Sequence, residues 1–288
     1  MELQHAAVIG HPIGHTMSPY LQQRLFSLAG MPMEYRVMDV PEIAGALPVL
    51  RALDCFNITI PHKTAVLPYM AEIDEKARLC GSVNTVRVKD GLFYGTTTDG
   101  EGCRQALRRR GLDFAGELLL LGNGGAARAI LFEILTRAPG VSLTLVCRES
   151  SADKGAALAK EAQSYSPKTR LTVKTYAQLE AEQGKTYDLL LNTTSVGMYP
   201  NVGHSPVTEN VVVRCKAVFD AVFNPRETRL LKLAKDNGLP AVEGMDMLVY
   251  QAAAAHGFWY GTVFSDKDLE QLCVDARAEM EKRFGEGA

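Results

Sequence analysis

Two residues suited to proton transfer stand within the first hundred positions of the chain. Lys63 closes the segment Asn-Ile-Thr-Ile-Pro-His-Lys, which begins at Asn57, and Asp99 lies in a Gly/Thr loop that begins at Gly95. An ammonium and a carboxylate can together carry and orient a proton, which is the work of general acid–base catalysis. Both residues precede a glycine-rich dinucleotide fingerprint at Gly122, so the order predicts a proton-transfer pair that serves a redox cofactor.

Each of these two residues also has an ordinary structural explanation. Lys63 follows a proline and can be an exposed surface lysine, and Asp99 can cap the helix indicated from Gly100 onward. Lys63, however, comes after a short apolar strand, and open α/β sheets bind ligands at the carboxyl ends of their strands. A carboxylate can cap a helix and also pair with Lys63, so the two explanations of Asp99 do not compete.

The dinucleotide fingerprint is the sequence Gly-Asn-Gly-Gly-Ala-Ala. It follows four consecutive leucines and opens a segment of helical character, which is the context that a GxGxxA motif requires. The first glycine permits a tight turn, the second lets the backbone approach a pyrophosphate, and the small Ala127 allows close helix–strand packing. Backbone N–H groups at the start of the helix then face the phosphates. The predicted cofactor-binding residues of this loop are Gly122, Asn123, Gly124, Gly125 and Ala126.

A pair of hydroxyls near the N-terminus indicates an anion site. Thr16 and Ser18 bracket one residue at a strand-to-helix turn, where two hydroxyls can converge on an anion near a helix N-terminus. From these residues alone, Ser18 is more readily explained as an ordinary N-cap with Pro19 at the first helical position.

The elements that must position these residues follow the βαβ pattern of a mostly parallel sheet covered by helices. In the first part of the chain we predict buried strands at residues 7–9, 35–38 and 55–60, a helix at 19–29, and a hairpin turn at 89–91. A second series of strands occupies residues 118–121, 143–146, 171–173, 189–191 and 218–222, a spacing that fits one nucleotide-binding domain. Residues 247–260 and 266–283 have helical period.

Composition narrows the class of protein. The 288 residues carry a formal net charge of −2 with dispersed Lys and Arg, so nothing calls for nucleic acid or an acidic membrane surface as a partner. Six cysteines form no CxxC pair, and His11 and His15 flank a proline and a glycine rather than share a helix face, so no metal site is predicted. With no signal-like segment and no apolar stretch of roughly 20 residues, we expect a cytoplasmic protein with reduced thiols.

These segments together resemble the shikimate dehydrogenase family. Residues 57–63 match its Asn-x-Thr-x-Pro-x-Lys element, residues 97–100 its Asn-Thr-Asp-Gly element, and residues 10–19 its Gly-x-Pro-Ile-x-His-Ser-x-Ser-Pro element. The resemblance implies an α/β protein with two domains: an N-terminal, mostly parallel substrate domain and a Rossmann dinucleotide-binding domain. The C-terminal helices return to the first domain, which gives the expected boundaries 1–101 with 240–288 and 102–239.

The resemblance also assigns roles in the substrate site. Lys63 and Asp99 correspond to the catalytic pair, and the implied activity is the NADP-dependent interconversion of 3-dehydroshikimate and shikimate in aromatic amino-acid biosynthesis. Thr16 and Ser18 would bind the substrate carboxylate. The other implied substrate contacts are Thr59, Asn84 and Gln251.

Further matches extend the cofactor site. Residues 192–198 resemble the loop that approaches the nicotinamide, which implicates Thr193 and Ser195, and residues 244–251 resemble the closing motif that begins at Gly244. Arg148 is retained from the Asn-Arg-Thr of NADP-preferring members, and Lys154 can serve as a second cation for a 2′-phosphate. Because Glu149 can repel that phosphate or bind a 2′-hydroxyl, NADP is favoured and NAD stays possible.

Three departures from the family pattern bear on substrate recognition. Thr16 replaces a serine, Thr97 replaces the asparagine of Asn-Thr-Asp-Gly, and Phe223 replaces a tyrosine that makes a polar contact to substrate. A quinate/shikimate dehydrogenase that uses NAD is therefore an alternative, and so is a non-catalytic module that senses shikimate or quinate. The expected partner is a shikimate-like cyclohexane carboxylate, and we expect a monomer or homodimer.

Overall fold

The computed structural model of the protein describes residues 2–14 and 16–285. The chain forms two compact units. The first contains the residues up to Asp99 together with Val249–Glu279, and the second contains Gly100–Leu248 together with the residues from Met280 on.

The first unit is built on a mixed six-stranded sheet. Its strands are β1 (Gln4–Gly10), β2 (Met33–Asp39), β3 (Cys55–Ile58), β4 (Glu72–Ile73), β5 (Thr85–Lys89) and β6 (Leu92–Thr96). Their order is β2-β1-β3-β5-β6-β4, with β1 parallel to β2 and β3, β4 parallel to β6, and β5 antiparallel to both of its neighbours. The hairpin between β5 and β6 turns at Asp90 and Gly91, which both have positive φ, as a tight two-residue hairpin requires.

Three details of the predicted strands were wrong, and one of them is the strand predicted at 218–222, which ends at Asp220. β2 is an edge strand with alternating exposure rather than a buried one, and Val37 is 46% exposed. β3 ends at Ile58, so Ile60 lies outside the sheet and is 75% exposed. The physical reason is that an edge strand has a neighbour on one side only, and that Pro61 has no N–H with which to extend a ladder.

The second unit is built on an all-parallel sheet. Its strands are β7 (Glu117–Leu121), β8 (Ser142–Cys147), β9 (Arg170–Thr175), β10 (Leu189–Asn192), β11 (Val218–Asp220) and β12 (Ala241–Val242). The order β12-β11-β10-β7-β8-β9 is that of a Rossmann fold, and the direction of winding reverses between β7 and β10. Ligands of such sheets bind at this reversal, outside the carboxyl ends of the strands.

The helices cover both sheets. They are α1 (Ser18–Leu28), α2 (Ile43–Leu50), α3 (His62–Ala65), α4 (Glu75–Cys80), α5 (Asp99–Arg108), α6 (Gly125–Arg137), α7 (Ala152–Tyr165), α8 (Tyr176–Ala181), α9 (Glu209–Val212), α10 (Arg229–Asp236), α11 (Gly244–Tyr260) and α12 (Asp266–Phe284). Short 3₁₀ turns occupy Leu67–Tyr69 and Glu149–Ser151. The chain changes unit inside α5, α11 and α12.

The side chains of the central strands point alternately to the two faces of the first sheet, and each face packs against its own hydrophobic core. Phe56 and Ile58 face a core that includes Val66, whereas Cys55 faces a second core with Phe26 and Trp259. Consecutive strand residues point to opposite faces, which is why a strand buried on both sides is apolar throughout. Among the described residues, no helix is long and apolar enough to cross a membrane.

Candidate active site

Lys63 is held in place by its backbone. It lies in the single turn of α3, which starts four residues after β3 ends, and its carbonyl accepts a hydrogen bond from the Val83 N–H at 2.8 Å. The preceding His62 is buried, and its Nε2 lies 2.5 Å from the Val40 carbonyl, where it donates a hydrogen bond. Lys63 is therefore anchored on both sides, which leaves its side chain as the part that can move.

The Lys63 ammonium forms an ion pair with Asp99. Nζ lies 2.6 Å from Oδ2 of Asp99, and the two side chains are 29% and 11% exposed. Asp99 is the first residue of α5, and its other oxygen, Oδ1, accepts a hydrogen bond from Asn84 Nδ2 at 2.8 Å. Both carboxylate oxygens are thus held by side chains from other elements, and a charge-assisted bond this short orients the ammonium.

Asn84 is the centre of this cluster. Its Nδ2 also lies 3.2 Å from Oε1 of Gln251, and its Oδ1 accepts from the Thr98 backbone N–H at 3.0 Å. A backbone N–H can only donate, so this contact fixes which end of the Asn84 amide faces Asp99. The four predicted residues Lys63, Asn84, Asp99 and Gln251 therefore meet in one hydrogen-bonded group, although Asn84 and Gln251 are 167 positions apart.

Thr16 and Ser18 lie where β1 gives way to α1. The helix begins at Ser18 itself, its N-cap is Met17, and no side chain caps it, so the predicted capping role of Ser18 was wrong. Instead the Ser18 N–H donates to Oγ1 of Thr16 at 3.2 Å. The Ser18 hydroxyl is half-buried and makes no hydrogen bond to a described residue, whereas His15 lies outside the described residues.

Thr59 follows the end of β3, next to the end of β1. Its N–H donates to the Ile9 carbonyl at 2.9 Å, and its methyl group lies so close to Gly10 that a Cβ there would meet it at 2.6 Å. Gly10 is therefore needed for the close approach of these two strand ends. Among the described residues, no hydrogen bond joins Thr16, Ser18 or Thr59 to the Lys63 cluster.

The glycine loop of the second unit has the form that a dinucleotide requires. Gly122 has φ of +105° and donates its N–H to the Val146 carbonyl, and Gly124 is the N-cap of α6. Gly124 and Gly125 are exposed, and a Cβ built on either meets nothing within 4 Å. Ala127 is fully buried against the sheet. A helix N-terminus approached without side chains is suited to a pyrophosphate, so these residues fit the cofactor that the motif implies.

The segment after β8 carries the residues predicted to select the cofactor. Arg148 and Lys154 are exposed, as is Glu149. Cys147 instead points under α7, where Gly155 makes room for it: a Cβ on Gly155 would lie 2.7 Å from the Cys147 sulfur. Asn123 Nδ2 donates to the Ser151 carbonyl at 2.9 Å and so ties this segment to the glycine loop.

The remaining predicted cofactor residues differ in what their side chains do. Thr193 donates its hydroxyl to the Leu121 carbonyl at 2.5 Å, so that group already serves the fold, while Ser195 is exposed. Gly244 opens α11, and a Cβ there would lie 2.5 Å from the Ala221 carbonyl oxygen, which makes it a close-approach glycine. Phe223 is half-buried in the second unit.

The segment around Phe223 also holds a buried carboxylate. Asp220 accepts hydrogen bonds from Asn192 at 2.8 Å, from the Val222 N–H at 3.0 Å and from the Thr228 hydroxyl at 2.6 Å. Burial nevertheless dominates and raises the pKa of Asp220 to about 6. This carboxylate organises the loop after β11.

Sequence reasoning missed several polar residues that adjoin the Lys63 cluster. Thr98 contacts both Asn84 and Gln251, while Gln22, Asn57, Thr85 and His256 are buried and hydrogen-bonded behind it. A signal was present at Asn57, which is a polar residue in the middle of an otherwise apolar buried strand. At Thr97, where the chain departs from the family pattern, the buried hydroxyl has no hydrogen-bond partner among the described residues.

Comparison with known proteins places this arrangement in a family. The model of the shikimate dehydrogenase substrate binding domain matches residues 8–86. The chain is 38% identical over 268 residues to the shikimate dehydrogenase (NADP(+)) of Caldanaerobacter subterraneus subsp. tengcongensis, an alignment that covers 91% of this chain and 93% of that protein.

Solved structures agree over nearly the full length. The shikimate 5-dehydrogenase of Thermus thermophilus in complex with NADP(H) and shikimate superposes with a TM-score of 0.81 at 29% identity and covers 95% of this chain and 99% of its own. The ligand-free 5-ketofructose reductase of a Gluconobacter strain gives the same TM-score, identity and coverage.

Proposed function

This chain belongs to the shikimate dehydrogenase family, and we propose that it is an NADP-dependent shikimate dehydrogenase that interconverts 3-dehydroshikimate and shikimate. The observation that carries the proposal is the 2.6 Å contact between the Lys63 ammonium and the Asp99 carboxylate. A sensing module has no need of such a pair, whereas a reductase of a ketone needs a group that delivers a proton to the carbonyl oxygen. The reaction belongs to the biosynthesis of chorismate and aromatic amino acids.

The chemistry of the reaction assigns the proton to Lys63. When bound, the nicotinamide of NADPH supplies the hydride that reduces the ketone. Lys63 Nζ donates a proton to the oxygen on which negative charge develops, and in the reverse direction it accepts the hydroxyl proton. Asp99 orients the ammonium and holds a neighbouring substrate hydroxyl. Because the Lys63 side chain remains partly exposed, it exchanges its proton with water between turnovers.

The other substrate contacts follow from which polar atoms are already in use. Gln251 accepts hydrogen bonds through Oε1 from Asn84 and Thr98, which leaves its Nε2 as a donor for a substrate hydroxyl. The Ser18 hydroxyl, with Thr16 and the N-terminus of α1 beside it, binds the substrate carboxylate. Thr59 supplies a further contact at the end of β3.

The second unit, around the predicted domain 102–239, holds the cofactor. The loop from Gly122 to Ala126 binds the pyrophosphate, Thr193, Ser195 and Gly244 line the remainder, and Arg148 and Lys154 bind the 2′-phosphate. Substrate binding belongs to the predicted domain 1–101 with 240–288. We place the protein in the cytoplasm as a monomer or homodimer with neither nucleic acid nor membrane as a partner.

The test is the reduction of cofactor by purified protein with shikimate and with quinate, each in the presence of NADP and of NAD. Fast reduction of NADP by shikimate is the expected result. Failure of all four pairs, together with measurable shikimate binding, would contradict the proposal and favour a sensing module. A Lys63→Ala protein with unchanged turnover would contradict the role of Lys63.

A second candidate is a dehydrogenase that uses NAD and accepts quinate. It is favoured by two observations on the cofactor segment: Glu149 is exposed beside Arg148, and Cys147 is turned away from solvent. The fold also accommodates other ketones, because the similar Gluconobacter protein is a 5-ketofructose reductase. Faster turnover with quinate and NAD than with shikimate and NADP would establish this second candidate.

A further inference from the structure

A file of buried, uncharged polar side chains runs through the first unit behind the Lys63–Asp99 pair. Its members are at most 7% exposed, and they are Asn84, Thr85, Asn57, Gln22 and His256. None of them belongs to the ion pair, and Asn57 and Thr85 face each other across the antiparallel strands β3 and β5. Such positions are ordinarily apolar, because a buried polar group costs free energy unless it is hydrogen-bonded.

The orientation of the Asn57 amide is determined by its surroundings. Its Nδ2 lies 3.4 Å from the Asn84 carbonyl, a group that can only accept a hydrogen bond. Its Oδ1 accepts from the Gln22 amide at 3.0 Å and from the Tyr35 hydroxyl at 2.8 Å. The Asn57 nitrogen therefore faces Thr85, whose Oγ1 lies 3.5 Å away.

The Asn57 nitrogen donates to Thr85 Oγ1, so the Thr85 hydroxyl cannot donate back to it and directs its own hydrogen to another acceptor. It donates to Asn84 Oδ1 at 2.8 Å, the shortest of the contacts to that oxygen. On its other side Asn84 donates to Asp99 Oδ1, also at 2.8 Å. At the far end His256 Nε2 donates to Gln22 Oε1 at 3.0 Å. One series of donors and acceptors therefore runs in a single direction through the file, from His256 through Gln22, Asn57, Thr85 and Asn84 to the Asp99 carboxylate.

We propose that Thr85 is a positioning residue of the dehydrogenase reaction. Together with the Thr98 N–H, its hydroxyl holds the Asn84 amide with its nitrogen toward Asp99, and Asn57 and Gln22 support it from behind. The inference rests on the proposed function of the Lys63–Asp99 pair. Hydrogen bonds in series polarise one another in a buried environment, so the file strengthens the bond that the carboxylate accepts. Thr85 acts through Asn84 and touches neither the ion pair nor the proposed cofactor loop.

The experiment compares two substitutions that differ in one group. Thr85→Val keeps the shape of the side chain and removes the hydroxyl, whereas Thr85→Ser keeps the hydroxyl. We expect Thr85→Val to lower kcat for shikimate about three- to tenfold, the effect of one lost hydrogen bond, with KM for NADP unchanged. Thr85→Ser should retain kcat within about twofold.

A matched control separates positioning from stability. Thr144 is an equally buried strand threonine of the second unit. Thr144→Val therefore removes a buried hydroxyl that is far along the chain from Asn84 and the Lys63–Asp99 pair. It should lower the melting temperature without changing kcat. If Thr85→Val behaves in the same way, the positioning role is wrong.

A double-mutant cycle tests the path through Asn84. In an Asn84→Ala background, Thr85→Val should cause no further loss of kcat, because the group on which it acts is gone. An additive loss would overturn the proposal.

The proposal also has a test that does not need turnover, so a failure of the proposed function is distinguishable from its own. The side-chain amide signal of Asn84, identified by its disappearance in Asn84→Ala, should exchange with solvent about tenfold faster in Thr85→Val than in the wild type. An unchanged exchange rate would overturn the positioning role even if the protein proved inactive with shikimate.

Discussion

The two units carry their proposed sites in different ways. In the first unit the work falls to side-chain atoms, since Lys63, Asn84, Asp99 and Gln251 meet through hydrogen bonds between side chains. In the second unit it falls largely to the backbone, because the exposed loop at Gly124 and Gly125 presents N–H groups without a side chain in front of them. A site made of side chains requires many hydrogen-bonding partners from the rest of the fold. A site made of backbone N–H groups requires mainly that no side chain block the approach of the ligand.

The two units also differ in the polar groups that they bury. The first unit buries a neutral file that ends at His256, and the second unit buries the Asp220 carboxylate. Burial lowers the pKa of His256 to about 4 and raises the pKa of Asp220 to about 6, because in each case it disfavours the charged form. The two units should therefore respond in opposite directions to pH.

The largest expected effect is on the side-chain site. Lys63→Ala should lower kcat about 10²- to 10⁴-fold, the range of general acid–base catalysis, while the Michaelis constants change little. The control is Lys89→Ala, which removes an exposed lysine at the end of β5 and should leave kcat unchanged. Steady-state kinetics with shikimate and NADP measure kcat for both variants. Equal effects of the two substitutions would contradict the assignment of the first unit's site to the Lys63 side chain.

The pH dependence of the first unit comes next. The folded-state pKa of His256 lies below its ordinary value of 6.5, so its contribution to stability is present above pH 6.5 and is lost as the pH falls through about 4. The loss amounts to about 3 kcal/mol. Trp259, the one tryptophan of the sequence, lies 5.6 Å from the His256 ring between ring centroids, so its fluorescence in urea reports this unit. His256→Gln should flatten the dependence of the free energy of unfolding on pH between 6.5 and 4. An unaltered dependence would mean that other groups cause it.

The second unit should show the opposite slope through Asp220. Its folded-state pKa is raised above its ordinary value of 3.8, so its contribution is fully present below pH 3.8 and is lost as the pH rises through about 6. The wild type should therefore lose up to about 3 kcal/mol of its free energy of unfolding between pH 4 and pH 7, whereas Asp220→Asn should not show this loss. Hydrogen exchange of the β10 amides, compared between the two proteins at each pH, measures this difference. A constant difference would exclude Asp220 as the cause.

The backbone site should be sensitive to an added methyl group. At Gly122, φ is +105° and a Cβ would lie 2.8 Å from the Thr193 hydroxyl, so Gly122→Ala should weaken NADP binding about ten- to hundredfold. Gly238 also has positive φ, but a Cβ there meets nothing within 4 Å. Gly238→Ala should therefore cost stability and leave the NADP dissociation constant unchanged. Calorimetric titration distinguishes the two, and equal affinities would show that the loop tolerates side chains.

The smallest effect concerns an exposed charge. Glu149→Gln should raise the affinity for NADP about two- to fivefold at low salt and leave that for NAD unchanged, because only NADP carries the 2′-phosphate that the carboxylate repels. The gain should shrink as salt is added. If the affinity for NAD changes equally, Glu149 does not discriminate between the cofactors.

Much of the fold could be predicted from the sequence because it depends on local pattern. The four leucines of β7, the glycine loop after them and the series of parallel strands each carry a periodicity or composition that is typical of a Rossmann fold. The predictions failed at strand ends and edges. β2 carries Glu34, Arg36 and Asp39 among its apolar residues, which already indicates an exposed face, and its place at the edge of the sheet exposes Val37 as well.

The sequence by itself determined the two α/β units, the glycine loop and the candidate pair Lys63 and Asp99, because hydrophobic period, glycine spacing and motif are properties of neighbouring residues. The resemblance already implied Asn84 and Gln251 as substrate contacts, but only the tertiary structure showed that their side chains are hydrogen-bonded to that pair, that Ser18 does not cap its helix, and that Thr85 stands behind Asn84. A polar side chain takes its partner from whichever element the fold brings within about 3 Å, and that distance depends on the closure of the whole chain.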